Sequence, residues 1–462
     1  MSDLSSLMSD TAPFLAPAPR PHDKPLGFFA FLLTASRNPI ELWGESAFRE
    51  PVLRNDWLKT PTIVVNDPTL IRRTLVENAA NYVMQPLRQR VLKPLLRDGL
   101  LTAEGDLWKR TRKAMAPVFA PRNVAGLARV MADRSQSFAD GLAGRSEGVL
   151  DISHEMTLLT YDILQATLFS DDITGEPTEF ARAMDVFMAH MGRVDPLDIL
   201  DAPSFLPRIG HWRGRSAAVY FRKLIFDTAE RRRRQMASDP GSAPRDLLTL
   251  LLECEGLTPS EVEDNLITFS GAGHETTARA LGWTLYLLSQ APAEREKVER
   301  ELDTLLPGLP NPLDWLEALP QTRAAFEEAM RLYPPAPSLN RMALEDDRVG
   351  DLDVPAGASV LVMPWLVHRH ERLWERPGHF LPDRFLPENR AKLDRYQHLP
   401  FGVGPRVCIG ASFAMQEGVI ALASLMRYLR FDYAGTRAPH PVQKITVQPR
   451  GGLPMRVSRR AD

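Results

Sequence analysis

The chain has 462 residues, 44% hydrophobic and 25% charged, with 56 Lys and Arg against 58 Asp and Glu. That length allows about three ordinary domains or one large single-core fold, and the composition excludes collagen, disordered tails and disulfide-dense miniproteins. A net charge of −2 gives no global electrostatic reason to expect nucleic acid or an anionic membrane as partner. Two cysteines, Cys254 and Cys408, argue against a disulfide framework and suit a reducing compartment, so a cytoplasmic protein is expected. The 39 prolines, above the usual ~5%, predict many rigid turns between helices.

In chain order, residues 1–25 form a Ser/Pro/Ala-rich leader expected to be mobile, and 26–462 are expected to form one domain. Gly27–Ala35 is apolar but far short of the ~20 residues of a membrane span. Asp3 and Asp10 are unlike the start of a signal peptide. The stretch predicts an amphipathic first helix docked on the body. Asp67-Pro68 opens a helix through Asn78, an N-cap followed by proline. Over 105–119, Trp108, Arg112, Met115 and Phe119 share one helix face, while Lys109, Arg110 and Lys113 point elsewhere. Helical patterns dominate 123–143, 154–170, 178–191 and 213–237, and Arg231–Arg234 in the last predicts a solvated helix end. Thr258-Pro259-Ser260-Glu261 is a capping box. The helix it starts can run to Gln290, roughly 45 Å at 1.5 Å per residue. Helices follow at 292–305, 320–333 and 408–428, and strand-like pieces lie at 61–66, 340–349, 358–363 and 444–457. The sum is a mainly α protein with a small β region.

Residues 401–410 read Phe-Gly-Val-Gly-Pro-Arg-Val-Cys-Ile-Gly. A buried structural cysteine is one explanation. A dinucleotide loop would need a third glycine where Val407 stands, and a catalytic thiol would need a signature that is missing. Physically, the segment is a glycine-permitted turn presenting one thiolate at the start of a helix, where free N–H groups lower a thiol pKa.

Phe401, Gly402, Gly404, Arg406, Cys408 and Gly410 match the haem-binding signature of the cytochrome P-450 family, which the chain resembles over roughly residues 40–458. The resemblance implies that family's fold, a long central helix over haem with the cysteine loop beneath. It implies Cys408 as axial thiolate of the iron of haem b. Arg406 would meet a haem propionate, Gly402 and Gly404 would make the turn, and Phe401 would shield the sulfur. Glu328 and Arg331, three apart on a helix, precede Pro382-Asp383-Arg384-Phe385. This order resembles the family's buried Glu–Arg pair and its completing arginine, so Glu328, Arg331 and Arg384 are expected to be architectural. Asp383 stands where the family more often has Glu.

Gly271–Thr277 (GAGHETT) weakens the long helix at its middle, each Gly by ~1 kcal/mol relative to Ala. It resembles the family's acid–alcohol motif. Thr276 would then hydrogen-bond bound oxygen and Glu275 would relay protons. Two propionates need cationic and N–H donors: Trp108, Arg112, Arg341 and Arg406 are expected to supply them. Cys254 is expected to be inert, and His368 and His370 to be structural.

The implied activity is that of a haem-thiolate monooxygenase inserting one atom of O2 into a hydrophobic small molecule such as a fatty acid or terpenoid. The pocket candidates are Met84, Leu95, Met188, Phe269 and Ala272, together with Leu87, Leu96, Met191, Phe205 and Leu206. Arg88 and Arg90 are expected at the surface, with a substrate carboxylate as the alternative partner. Electrons would come ultimately from NAD(P)H through a ferredoxin or flavodoxin and its reductase, which Lys109, Arg110 and Lys113 could dock. A peroxide-driven or isomerising haem-thiolate enzyme and a non-catalytic haem-binding sensor are the alternatives.

Overall fold

The computed structural model describes residues 12–56, 60–145, 148–173, 215–239 and 241–460. The predicted helix at 178–191, and with it Met188, Met191, Phe205 and Leu206, lies outside the described residues, as does the side chain of Leu95. The centre of the fold is the helix Pro259–Gln290. Its capping box forms as the sequence predicts: the Glu261 N–H donates to Thr258 Oγ1 at 3.3 Å and the Thr258 N–H to Glu261 Oε2 at 2.8 Å. From Val262 onward most of its side chains are buried, as expected of a helix enclosed on all sides. Helix Ile152–Phe169 packs along it, and Thr160 Oγ1 donates to the His274 carbonyl at 2.9 Å. Lower down, Trp283 stacks on Tyr333 at 3.8 Å and gives its indole N–H to Val447 O at 3.1 Å.

A five-stranded sheet lies beside the helices in the order Val52–Asn55, Thr62–Val65, Ser359–Val362, Leu339–Ala343, Tyr82–Met84. Thr62–Val65 and Ser359–Val362 run parallel and the other pairs antiparallel. The last pairing sets Met84 opposite Arg341. Predicted strand 340–349 divides into Leu339–Ala343 and Asp347–Val349, and between them Asp346 Oδ1 accepts the Ala356 N–H at 2.8 Å. Predicted strand 444–457 divides at Gly451 and Gly452, both at positive φ. Helix Pro86–Leu96 was hidden in the sequence by its prolines, one at its start and Pro94 inside.

Three N-terminal and basic segments differ from expectation. Residues 14–17 lie against the body instead of trailing free: the Phe380 N–H donates to Phe14 O and the Ala16 N–H to Gly378 O, both at 2.9 Å, and Tyr333 donates its hydroxyl to Pro17 O at 2.8 Å. Helix Phe28–Arg37 has no buried residue, and Phe29 is 84% exposed. Its anchor is the residue after it. Buried Asn38 donates to Pro441 O at 3.1 Å and accepts from the Gln443 N–H at 2.8 Å. Nor is the arginine run a solvated end. Arg232 is fully buried and holds Asp246, the N-cap of Leu247–Leu252, at 2.7 Å.

Glu328 and Arg331, on helix Pro320–Leu332, are wholly buried and joined by two 2.7 Å hydrogen bonds. Arg331 also donates to the carbonyls of His368, Pro377 and His379. Glu328 accepts the Leu381 N–H at 2.9 Å and has Arg384 Nε at 3.5 Å. His368 sits in the same network, with Nδ1 at 3.1 Å from Arg331 O and Nε2 accepting the Leu399 N–H at 2.7 Å. Buried ions repay desolvation only when so fully bonded. Arg331→Met strands the Glu328 carboxylate, so chemical denaturation should show a loss of about 3–5 kcal/mol; a loss within ~0.5 kcal/mol contradicts this account.

Candidate functional site

The cysteine loop hangs between the sheet and helix Ala411–Tyr428. Gly402 and Gly404 have φ of +70° and +76°, a region that favours glycine. At Gly404 the need is absolute, since an added Cβ would collide with the Leu75 carbonyl oxygen. The turn closes through Gly402 N–H to Leu399 O and Val407 N–H to Gly404 O, both 3.1 Å, and Cys408 N–H to Phe401 O at 2.9 Å. Phe401 is half-buried and packs on the main core. The helix starts at Ala411, so Cys408 lies three residues ahead of it and not on its first turn as predicted.

Cys408 has accessible surface, yet the protein encloses it deeply enough that burial pushes its thiol up. The Gly410 N–H and the Arg112 guanidinium pull the other way. Gly410 itself has φ −90°, and a Cβ there would meet no protein atom within 4 Å. The backbone does not demand glycine at this position, and the protein leaves open space beside it.

Around this thiol the structure gathers cations. Arg112 and Trp108 come from helix Gly105–Met115, Arg341 from the sheet and Arg406 from the loop. Arg406 lies over the Trp108 ring at 4.3 Å, donates to Ala103 O at 2.9 Å and pairs with Glu104 at 2.6 Å. Arg88, expected at the surface, is instead half-buried beside Arg341 and Arg406. Burial and those neighbouring arginines lower the pKa of Arg341 to about 10. Burial likewise lowers those of Arg88 and Arg112. Among the described residues, Arg88 and Arg112 have no ion-pair partner. One soft sulfur inside a ring of N–H donors fits an iron porphyrin with its two propionates. Glu104 is the rim residue that sequence reasoning missed, because it stands in no recognisable motif; Arg88 was named but expected at the surface.

The distal candidates separate. Ala272 is exposed in the middle of an otherwise buried helix, and Thr276, one turn on, is half-exposed on the same face. The Thr276 hydroxyl donates to Ala272 O at 2.9 Å, and the helix stays α-helical through this turn. Glu275 points elsewhere: it accepts Thr446 Oγ1–H at 2.8 Å and has Arg279 at 3.6 Å. Phe269 is buried edge-on to Phe119 at 4.9 Å, and Met84 is closed in at the sheet edge. Of the three cations on the outer helix face, Arg110 is paired with Glu261 and Lys109 lies 3.4 Å from Asp106, which leaves Lys113 exposed and unpaired among the described residues. Cys254 donates to Ala114 O and Leu250 O at 3.4 Å.

Comparison with known proteins gives the class. A family model described as Cytochrome P450 matches residues 21–454. Cyclooctatin synthase of Streptomyces melanosporofaciens is 29% identical over 94% of each chain. A cytokinin hydroxylase of Arabidopsis thaliana is 30% identical over 85% of this chain and 78% of its own. The solved cytochrome P450DA heme domain superposes with a TM-score of 0.80 at 25% identity, covering 97% of this chain and 98% of the other. The fold is thus that of a haem-thiolate oxidoreductase. The chain belongs to the cytochrome P-450 family, whose members are haem-dependent monooxygenases.

Two outcomes follow from this geometry. Gly404→Ala should lower haem content at unchanged helicity, because only the turn is disturbed; full haem occupancy contradicts the collision with Leu75. Glu417, beneath the long helix, is fully enclosed and lacks a hydrogen-bond partner among the described residues, although Thr277 is near enough to ease its charge. Burial pushes its carboxyl up to about 8, against 4.5 ordinarily. The unfolded chain then binds fewer protons, so Glu417's contribution is complete below pH 4.5 and is lost as pH rises to about 8. In urea titrations Glu417→Gln should flatten that decline, and an unaltered slope contradicts it.

Proposed function

We propose that the protein inserts one oxygen atom from O2 into a lipophilic small molecule, with Cys408 as axial ligand. The observation that carries this reading is the enclosed Cys408 thiol on a glycine turn, with the Gly410 N–H and Arg112 directed at its charge. Haem, when bound, supplies the oxygen activation and the insertion chemistry. Trp108, Arg112, Arg341 and Arg406 would hold its propionates, and the contact-free Cα of Gly410 leaves room for a flat ring.

Burial makes the Cys408 thiol resist ionisation, so a thiolate there needs donors and positive charge close to the sulfur. Arg112 and the Gly410 amide are the groups that favour the thiolate. On the long helix, Ala272 offers bare surface and Thr276 a hydroxyl whose oxygen can still accept a hydrogen bond. Glu275, tethered to Thr446 and Arg279, holds a carboxylate one residue from that hydroxyl and must release its tether to pass a proton on. Buried Phe269 and exposed Ala272 share the helix face that bears Thr276, and an apolar face of that kind suits a fatty acid, a terpenoid or a similar substrate. A relative named as a cytokinin hydroxylase supports oxidation of a small molecule.

The redox partner in this reading is a small acidic carrier, ferredoxin or flavodoxin, approaching the face that bears Lys113. We place the enzyme in the cytoplasm, as one catalytic domain over residues 26–462. Both described cysteines are free, and among the described residues no helix is long and apolar enough to cross a membrane. With NADPH, a ferredoxin and its reductase, a fatty-acid and terpenoid library should yield products carrying one atom of isotopic oxygen gas. Thr276→Ala should cut product about 100-fold, the lower range for a lost proton-transfer group, while oxygen uptake continues and peroxide accumulates. Label arriving from water, or turnover with peroxide alone at the full rate, contradicts the proposal.

A further inference from the structure

We propose that a second cavity, at the C-terminal end of helix Phe28–Arg37, is a binding site for a phosphorylated small molecule. The cavity measures about 570 Å³, within the range of small-molecule sites. Arg37, His154, Arg279, Lys444, Arg450 and Asp151 bring the titratable groups to its wall. Separate elements deliver them, and backbone contacts hold those elements together. Asn38, next to Arg37, bonds Pro441 O and the Gln443 N–H. Those residues open the hairpin of Pro441–Gln443 with Val447–Pro449, whose turn carries Lys444. The Arg450 N–H donates to His440 O at 2.9 Å, closing the hairpin's other end. His154 stands in the first turn of helix Ile152–Phe169. The long helix supplies Arg279, whose guanidinium donates to Ser153 Oγ at 2.7 Å. No lining residue belongs to the rim around Cys408, so the proposal stands apart from the haem-thiolate reading.

Arg37, Arg279, Lys444 and Arg450 face a single carboxylate in this wall, and that carboxylate is engaged. Asp151 Oδ1 accepts the Ser153 N–H at 3.0 Å and the Leu453 N–H at 2.8 Å. Gly452 passes so close to Asp151 that an added Cβ would collide with the carboxylate. Two acids outside the wall approach its cations loosely: Glu275 lies 3.6 Å from Arg279 and Glu41 4.0 Å from Arg450. Arg37, His154 and Lys444 have no side-chain partner among the described residues, and Arg279 Nε is buried without one. Four cations less Asp151 leave a surplus of three positive charges, and counting both outer acids leaves one. A monocarboxylate brings one negative charge and two oxygens. A phosphate ester brings about two charges and three strong acceptor oxygens, which the forked guanidiniums of Arg37, Arg279 and Arg450 match. The surplus and the donor set therefore favour phosphate.

Calorimetric titration of the haem-loaded protein with inorganic pyrophosphate, at about physiological ionic strength, tests the site. Saturable binding of one pyrophosphate per chain is expected, far tighter than that of acetate. Loss of one charge-assisted hydrogen bond weakens binding at least about 10-fold. Lys444→Gln, at an exposed turn position, should therefore weaken pyrophosphate binding about 10-fold, and Arg37→Gln should do the same through a different element. Arg122→Gln removes an exposed cation from helix Pro121–Ala125, outside the cavity, and should leave the affinity unchanged. The absence of saturable heat, acetate binding as tightly as pyrophosphate, or pyrophosphate affinity retained in both Lys444→Gln and Arg37→Gln overturns the proposal. An equal loss in Arg122→Gln does so too, since it would mark a general charge effect. A wild-type protein without a thiolate-type spectrum would defeat the haem-thiolate reading and leave these heats as they are.

Discussion

A thiolate inside a protein is stable only where positive charge and N–H donors surround it, and this structure is organised around meeting that condition at Cys408. Desolvation alone drives the thiol toward its neutral form. The counterweight is local: the Gly410 amide, the Arg112 guanidinium and, when haem is bound, the metal. None of these reaches the sulfur unless the loop makes its reversed turn at Gly402 and Gly404. That turn fits only because Gly404 passes the Leu75 carbonyl without a side chain. A backbone constraint of a few ångströms thus governs the electrostatics of the site.

The same problem recurs at the rim and is solved differently in the core. Glu328 and Arg331 satisfy each other within the protein, with carbonyls absorbing the remaining N–H groups. Such a network ties helix Pro320–Leu332 to the chain from His368 to Leu381 and, through His368, to Leu399 just before the loop. Around Cys408, by contrast, guanidiniums outnumber carboxylates. A protein tolerates that imbalance where a ligand brings the missing negative charge. Stability and cofactor binding are therefore coupled: filling the rim removes repulsion that the polypeptide alone leaves in place.

Much of this was legible in the sequence. The capping box at Thr258, the long helix and the cysteine motif depend on local spacing, and local spacing is what a sequence displays directly. Trp108 and Arg112 lie one turn apart on one helix, so their shared face was also visible. The failures share a physical cause. Short strands such as Tyr82–Met84 and Val149–Asp151 exist because partners hundreds of residues away complete them. Arg88 and Glu104 acquire their surroundings from the loop at Arg406, more than three hundred residues along the chain. Thr446 reaches Glu275 across 171 positions, and no motif marks it. Arg232 was misjudged because charge runs are usually solvated, whereas here Asp246 waits in the core to receive it.

The account stands on sulfur ligation of haem iron by Cys408, and the carbon-monoxide difference spectrum of the reduced protein tests that most directly. Wild type should show the long-wavelength Soret band of thiolate ligation, and Cys408→Ser should lose it while keeping its fold. A wild-type band at the position given by nitrogen ligation, or one that survives in Cys408→Ser, would contradict the assignment of the ligand and the chemistry built upon it.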